Sequence, residues 1–394
     1  MKYLRQLKNL TGKRVLMRVD FNVGFGHDGI IAEEDAIKIE KTLPTIKFLI
    51  GKNAKIILMA HLGHPKGQIK EDLRLNGVAD YVSKILKKKI NKLDEIIGPN
   101  VEAAVKKMKN KEIILLENIR FDPREEKNDK NFAKGLAKFG DIYVNEAFAV
   151  SHRNAASVSA VTKYLPSYAG LLLEKEIKAL SCFLKKLKKP VVIIFGGLKF
   201  ETKLPVIKRL LPKADYALLG GGISNTVFAA LDYGVGASKI GREYFSEAKK
   251  VGVNRKVRLP LDVVVGEING KDYFRVLVPK EKINLCGANY GIYDIGPATI
   301  RAWSVFIKKA NTIIWNGPVG YFEKAPFDKG SASVAYLVGA RSKGKAYGVV
   351  GGGETLSVLT RSKMIQYIDH VSTGGGAMLE FLSGKKLPGI VALK

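Results

Sequence analysis

Asp20 and Asn22, His61 and His64, Arg120, and His152 with Arg153 each fall just past a short apolar run in the N-terminal half of the chain. Guanidinium forks bind planar oxyanions in pairs, and histidines and amide donors add short-range hydrogen bonds. The set suits a small substrate that carries both carboxylate and phosphate. One such residue alone would be a cap or a surface charge; recurrence at one sheet edge makes the set a candidate site. The C-terminal half offers a different material, the glycine triplets Gly220 to Gly222, Gly351 to Gly353 and Gly374 to Gly376, each after an apolar run and before a helix-compatible stretch. Glycine costs backbone entropy, so the triplets imply backbones that approach something closely, and an anion cradle explains them better than three flexible turns.

The elements that must position these residues follow from periodicity. Residues 15–19, 55–60, 112–117 and 141–144 read as strands, with helical spacing over 35–50, 77–88 and 129–138. The second half repeats the pattern: strands over 190–195, 215–219, 312–315 and 346–350, helices over 201–210, 223–233, 329–340 and 354–361. Such alternation predicts an α/β protein of two Rossmann-like domains, each a parallel sheet covered by helices. At 394 residues the chain exceeds a comfortable single core. An amphipathic stretch over 170–189, ended by Pro190, is expected to join the domains 1–169 and 190–374 as a hinge helix, and the tail 375–394 to pack back on the first.

Several chemistries drop out. Walker A spacing is absent, and Gly24, Gly26 and Gly29 form a lone GxGxxG with no acidic strand end at the right distance, which predicts a surface loop. The histidines, His27, His61, His64, His152 and His370, include no HExxH pair, and no nucleophile elbow accompanies them. Cys182 and Cys286 lie far apart without CxxC spacing, which suits a reducing cytoplasm. No apolar run approaches the ~20 residues that span a bilayer, and the N-terminus has no signal-peptide core. A net charge of +29 favours anionic partners, but the lysines lie on helical stretches such as Lys84 to Lys89 without interleaved aromatics, so no specific nucleic acid and no membrane partner is expected.

RVDFNV at 18–23, HLGHPKG at 61–67, LLENIRF at 115–121, NEAFAVSHR at 145–153, LLLEKEI at 171–177, GGLKFETK at 196–203, WNGPVGYFE at 315–323, GGGET at 351–355 and STGGGAMLE at 372–380 together resemble phosphoglycerate kinase, in order along essentially the whole chain. The resemblance implies reversible transfer of the acyl phosphate of 1,3-bisphosphoglycerate to ADP, giving 3-phosphoglycerate and ATP, with Mg²⁺. It places 3-phosphoglycerate on the N-terminal domain, at Asp20, Asn22, His61, His64, Arg120 and Arg153. Nucleotide falls to Gly196, Gly197, Lys199, Lys203, Gly220, Gly221, Asn316, Pro318, Glu323, Gly351, Gly352, Gly353, Glu354 and Thr355, and a phosphate loop to Gly374, Gly375 and Gly376. Lys199 is expected to contact the transferring phosphoryl group, and closure about the hinge helix and tail to bring the ligands into line. A monomer is expected.

The departures from the family pattern are specific. No arginine precedes the LPTI segment: Lys38 takes the position in one register and Ala36 in the other. Lys38 is taken as catalytic, keeping the charge but losing the fork. Ala60 and His64 stand for the serine and arginine of SHLGRP, which predicts weaker or pH-dependent substrate binding. Gly24 replaces a proline and Thr202 an aspartate. Glu354 replaces the aspartate of GGGDT, and remains the Mg²⁺ candidate as a hard oxygen ligand. These changes leave two alternatives: a catalytically weakened paralogue that binds nucleotide or another polyanion, and a kinase for a different acyl phosphate.

Overall fold

The structure is a computed structural model that describes residues 1–26, 29–185, 187–281 and 283–394. The chain divides into two compact units, Met1–Ser181 with Lys386–Lys394, and Cys182–Lys385.

In the first unit β1 (Arg14–Arg18), β2 (Lys55–Met59), β3 (Asn91–Lys92), β4 (Ile113–Leu115), β5 (Ile142–Asn145) and β6 (Ser167–Ala169) form one sheet in the order β3-β4-β2-β1-β5-β6. All pairings are parallel, with Val15 between Ile56 and Ile142. Parallel strands are covered on both faces, which is why these runs read as continuous apolar stretches. The intervening helices are α1 (Glu33–Glu40), α2 (Leu43–Gly51), α3 (Asn76–Leu86), α4 (Pro99–Lys107) and α5 (Lys130–Ala137). Val15, Met17, Ile56, Leu58 and Val144 share a buried core with Ile39, Ile46, Val78 and Val82. The single helix expected over 35–50 is two, because Pro44 sits in the first turn of α2, where its missing N–H costs nothing but ends the preceding helix.

The connector is α6 (Leu171–Lys185), and the chain passes from one unit to the other within it. In the second unit β7 (Val191–Phe195), β8 (Tyr216–Leu219) and β9 (Val257–Arg258) share a parallel sheet with β13 (Thr312–Asn316), β14 (Tyr347–Gly351) and β15 (His370–Ser372), ordered β15-β14-β13-β7-β8-β9. Between β9 and β13 the chain builds a separate antiparallel sheet, β10 (Asp262–Gly266), β11 (Tyr273–Leu277) and β12 (Gly291–Ile295). The remaining helices are α7 (Phe200–Leu210), α8 (Gly221–Ala230), α9 (Phe245–Gly252), α10 (Pro297–Lys309), α11 (Lys329–Ser342), α12 (Gly353–Arg361), α13 (Gly375–Ser383) and α14 (Pro388–Val391).

The returning tail is shorter than 375–394. Helix α13 packs on α7 inside the second unit, and only Lys386–Lys394 belongs to the first. There the Gly389 amide donates to the Ser151 carbonyl at 2.9 Å, and Asn145 Nδ2 to the Gly389 carbonyl at 3.3 Å. Gly24 and Gly26 lie in a small hairpin, with Phe25 bridged to Ile31 and the Gly26 amide on the Ile30 carbonyl at 2.8 Å. His27 lies outside the described residues.

Candidate active site

In the first unit the sheet's C-terminal ends converge on a cavity of about 350 Å³ lined by Arg18, Arg120, Arg153, Glu125, Glu126 and Asn154, among others. The turn after β4 carries Arg120. Asn118 caps that turn by accepting the Arg120 amide at 3.1 Å, and its own amide donates to the Leu62 and Leu73 carbonyls, which ties the turn to the loop after β2. Gly63 joins the two sides of the site: its N–H donates to Asn22 Oδ1 at 2.8 Å, and its carbonyl accepts from Arg120 Nη1 at 2.8 Å. With φ +61° it adopts the left-handed backbone that glycine tolerates.

Electrostatics in this cavity follow from crowding like charges. Burial, with Arg18 and Arg153 nearby, brings Arg120 down to about 10, and the salt bridge to the half-exposed Glu126 at 3.4 Å offsets this only in part. His61 is buried and its pKa is pushed well below the usual value, first by burial and then by Arg18, Arg120 and Arg153. His64 is exposed and shifted down by the same kinds of cause; it accepts from Arg120 Nη1 through Nδ1 at 3.3 Å. Both histidines are therefore neutral at pH 7. Asp20 is buried and its carboxyl is raised by that burial, against the pull of Lys38 and Arg18. Lys38 Nζ donates to the Asn22 carbonyl at 2.9 Å and to Asp35 Oδ1 at 2.6 Å, whereas Ala36 is buried in the core.

In the second unit a cleft of about 240 Å³ is lined by Gly197, Gly221, Pro318, Glu323 and Glu354, together with Tyr293 and Tyr321. Its floor is a crossing of two loops at the ends of β7 and β13. The Gly197 amide donates to the Pro318 carbonyl at 2.7 Å and the Gly196 amide to the Asn316 carbonyl at 3.1 Å. A Cβ on Gly196 would lie 2.0 Å from the Pro318 oxygen, and one on Gly317 2.2 Å from the Gly196 oxygen. The triplets play the same part. Gly220 abuts Val319, Gly222 abuts Gly197 and Leu198, and Gly375 lies against Gly352, whereas Gly353 faces open space. Most of these glycines are thus required by close packing of protein on protein, which corrects the expectation that ligand alone accounts for them.

Asn316 ties the ends of β13 and β14 together. Its Nδ2 donates to the Gly351 carbonyl at 2.6 Å and its Oδ1 accepts from Lys203 Nζ, while the Gly317 amide donates to Thr355 Oγ1 at 2.7 Å. Burial brings the Lys203 ammonium down to about 8, with Glu354 pulling it back up. Lys199 is exposed at the N-cap of α7, and Thr202 Oγ1 donates to its carbonyl at 2.9 Å, which gives Thr202 a local role. Gly376 lines a separate hollow with Glu201, Thr202 and Glu380 instead of the cleft. Among the described residues no cluster of three metal-ligating side chains exists. The exposed Glu354, with Glu323 next to it raised by burial and by that neighbour, fits a divalent ion that takes its other ligands from phosphates and water.

The family model for phosphoglycerate kinase matches residues 4–385. The chain belongs to the phosphoglycerate kinase family. Relatives include the phosphoglycerate kinases of Moorella thermoacetica, 42% identical over 98% of this chain and 97% of that one, and Thermomicrobium roseum, 40% identical over 100% and 99%. Among solved structures, phosphoglycerate kinase from Pyrococcus horikoshii OT3 is similar with a TM-score of 0.86 at 30% identity, covering 100% of this chain and 98% of that one. That from Coxiella burnetii has a TM-score of 0.81 at 36% identity, covering 99% and 98%. The chain is an enzyme, a phosphotransferase. Among the described residues no helix is long and apolar enough to cross a membrane.

Sequence reasoning missed parts of both sites. Arg18 interrupts the apolar run of β1 and is 2% exposed, yet it lines the first cavity; a charge inside a fully buried strand was the available signal. Ile268, Tyr293 and Tyr321 line the cleft, the first from the turn between β10 and β11 and the second from β12. The dipeptide Asn269–Gly270 between β10 and β11 marks that hairpin.

Proposed function

We propose that the chain transfers the acyl phosphate of 1,3-bisphosphoglycerate to ADP, with the phosphoglycerate in the arginine-lined cavity of the first unit and the nucleotide in the glycine-walled cleft of the second. The observation that carries this reading is the pairing of two hollows at the C-terminal ends of two parallel sheets, one lined by arginine side chains and one by backbone. Arg120 and Arg153, with Arg18 behind them, take the phosphate and carboxylate; Asn22 and Asp20 take the remaining oxygens. Lys203 and the Asn316 network face the nucleotide phosphates, and Lys199 reaches for the phosphoryl group in flight. Glu354 would hold a Mg²⁺ brought in with the nucleotide phosphates, and that ion would supply charge neutralisation there.

In the reaction a terminal oxygen of ADP forms the new P–O bond as the bond from phosphorus to the acyl oxygen breaks, leaving a carboxylate. Little covalent help is needed, so positioning and charge neutralisation carry the rate. Closure about α6 to align the ligands and exclude water, a monomeric state and a cytoplasmic location belong to the same proposal. A steady-state assay of Mg-ATP with 3-phosphoglycerate, beside Lys199→Ala, tests it. Robust turnover abolished by that substitution is expected; nucleotide binding without turnover would favour the weakened paralogue.

A further inference from the structure

Arg18 is buried at the end of β1, and each of its bonds has only one possible direction. Nε donates to Ser157 Oγ at 2.9 Å, and Nη1 donates to the Val19 carbonyl. Nη2 lies 3.1 Å from His61 Nδ1. A guanidinium has donors and no acceptor, so Nδ1 of His61 must accept, and the ring proton must sit on Nε2. The Ser157 hydroxyl is also fixed: it donates to Glu125 Oε1 at 2.6 Å, and the Ser157 amide donates to Glu125 Oε2 at 2.9 Å. With that proton committed to Glu125, the serine's lone pairs are turned to the Arg18 Nε–H. Tyr143 adds a bond from its hydroxyl to the Ser157 carbonyl at 2.7 Å. Glu125, Ser157, Arg18 and His61 thus form one chain of hydrogen bonds with a single polarity.

We propose that Arg18 is a positioning residue that presents His61 to the substrate as a neutral Nε2–H donor, and that Ser157 and Glu125 aim Arg18 for this task. The inference rests on the reading that the cavity of the first unit holds the phosphoglycerate. Among the described residues the only hydrogen bond of the His61 ring is the one at Nδ1, so Nε2–H is left to donate to a carboxylate, phosphate or hydroxyl oxygen. The charged groups facing the ring, Arg18, Arg120 and Arg153, and the titratable His64 oppose protonation, and the carboxylates of the cluster, Glu125 and Asp20, act on Arg18. The site gains a directed donor without adding a further cation to three crowded arginines. In a ring free of Arg18, either nitrogen could carry the proton, and part of the population would offer the substrate a bare lone pair.

The test is nitrogen NMR of the full chain labelled at its five histidines, with His61 assigned by the loss of its signals in His61→Gln. Expected in the wild type is a bare Nδ1 and a protonated Nε2, unchanged from pH 7 down to about pH 5.5, below the ordinary histidine value. An Nδ1–H tautomer or an imidazolium at pH 7 overturns the proposal, whatever the kinetics show. Arg18→Met should mix the tautomers and restore titration. Because that change removes a buried charge, Ser157→Ala provides a milder variant that keeps Arg18 and frees its aim. Mixed tautomers together with a KM for 3-phosphoglycerate raised about tenfold, at little cost in kcat, are expected from Ser157→Ala; an unchanged tautomer with unchanged KM removes Ser157 and Glu125 from the proposal. If the wild-type tautomer is as stated but His61→Gln leaves KM unmoved, the placement of substrate at His61 fails, and the tautomer assignment does not.

Discussion

The first unit makes its hollow from side chains: Arg18, Arg120 and Arg153 converge on it, and burial, reinforced by their mutual repulsion, brings Arg120 down to about 10 and holds His61 neutral. The second unit makes its hollow from main chain. Gly196, Gly197 and Gly317 let two loops cross within hydrogen-bonding distance, and one buried lysine, Lys203, supplies charge beside them. The two designs answer different demands. On the assignment proposed above, a small polyanion with a carboxylate and a phosphate meets discrete, directional charges, and a nucleotide meets a shaped wall and a few phosphate contacts. They also fail differently: a side-chain site loses affinity when one residue is changed, while a backbone site loses its shape.

The sharpest way to separate the two is Gly196→Ala. Its Cβ would meet the Pro318 oxygen at 2.0 Å, so the crossing must spread. Calorimetry should show the second unit destabilised by about 3 kcal/mol, with nucleotide affinity lost and the first unit unaffected. In the other unit Arg120→Met should raise KM for 3-phosphoglycerate about a hundredfold while the Kd for ADP stays fixed, since a charged fork to an oxyanion is lost without a change of fold. A shift in both constants would mean that the two hollows do not act as separate sites.

A smaller effect tests the lysine. The folded value of Lys203, about 8, lies below its ordinary 10.5 because burial disfavours the charge. Between those limits the unfolded chain binds more protons, so this group's contribution to stability increases as pH rises through the window. Binding of an anionic nucleotide has the opposite sign, because it needs the ammonium. Affinity for ADP, followed by titration calorimetry, should fall about tenfold from pH 7 to pH 9, and Lys203→Met should flatten that profile. The smallest expectation is Gly353→Ala. Its Cβ meets nothing within 4 Å, so stability should stay within about 0.5 kcal/mol of the parent.

The contrast explains what the amino-acid sequence could disclose. Strands such as Lys55–Met59 and Val191–Phe195 were legible because a parallel strand buried on both faces must be apolar throughout. Asp20, His61, Arg120 and Arg153 were legible because polar residues interrupt that pattern at one end of it. Arg18 was not counted, since a residue inside a strand was read as part of the strand. Glycine showed that backbones meet, but not what they meet: Gly220 and Gly222 pack on the chain's own loops, whereas Gly353 is open. The break between α1 and α2 was available at Pro44, and the antiparallel sheet at Asn269–Gly270; both need a turn signal weighed against a longer periodic stretch. The bond from Lys38 to Asp35 shows that the lysine's charge is already partly engaged before any ligand arrives.

The membership of Lys386–Lys394 in the first unit reorders the protein's own assembly. Synthesis ordinarily lets the N-terminal domain finish before the next begins. Here Asn145 and Ser151 wait for Gly389, so the unit started first is completed last, after every residue of the second has left the ribosome. A released chain truncated after Lys385 would carry a complete second unit tethered to an unfinished first, and a protease probe of it should cut the older half.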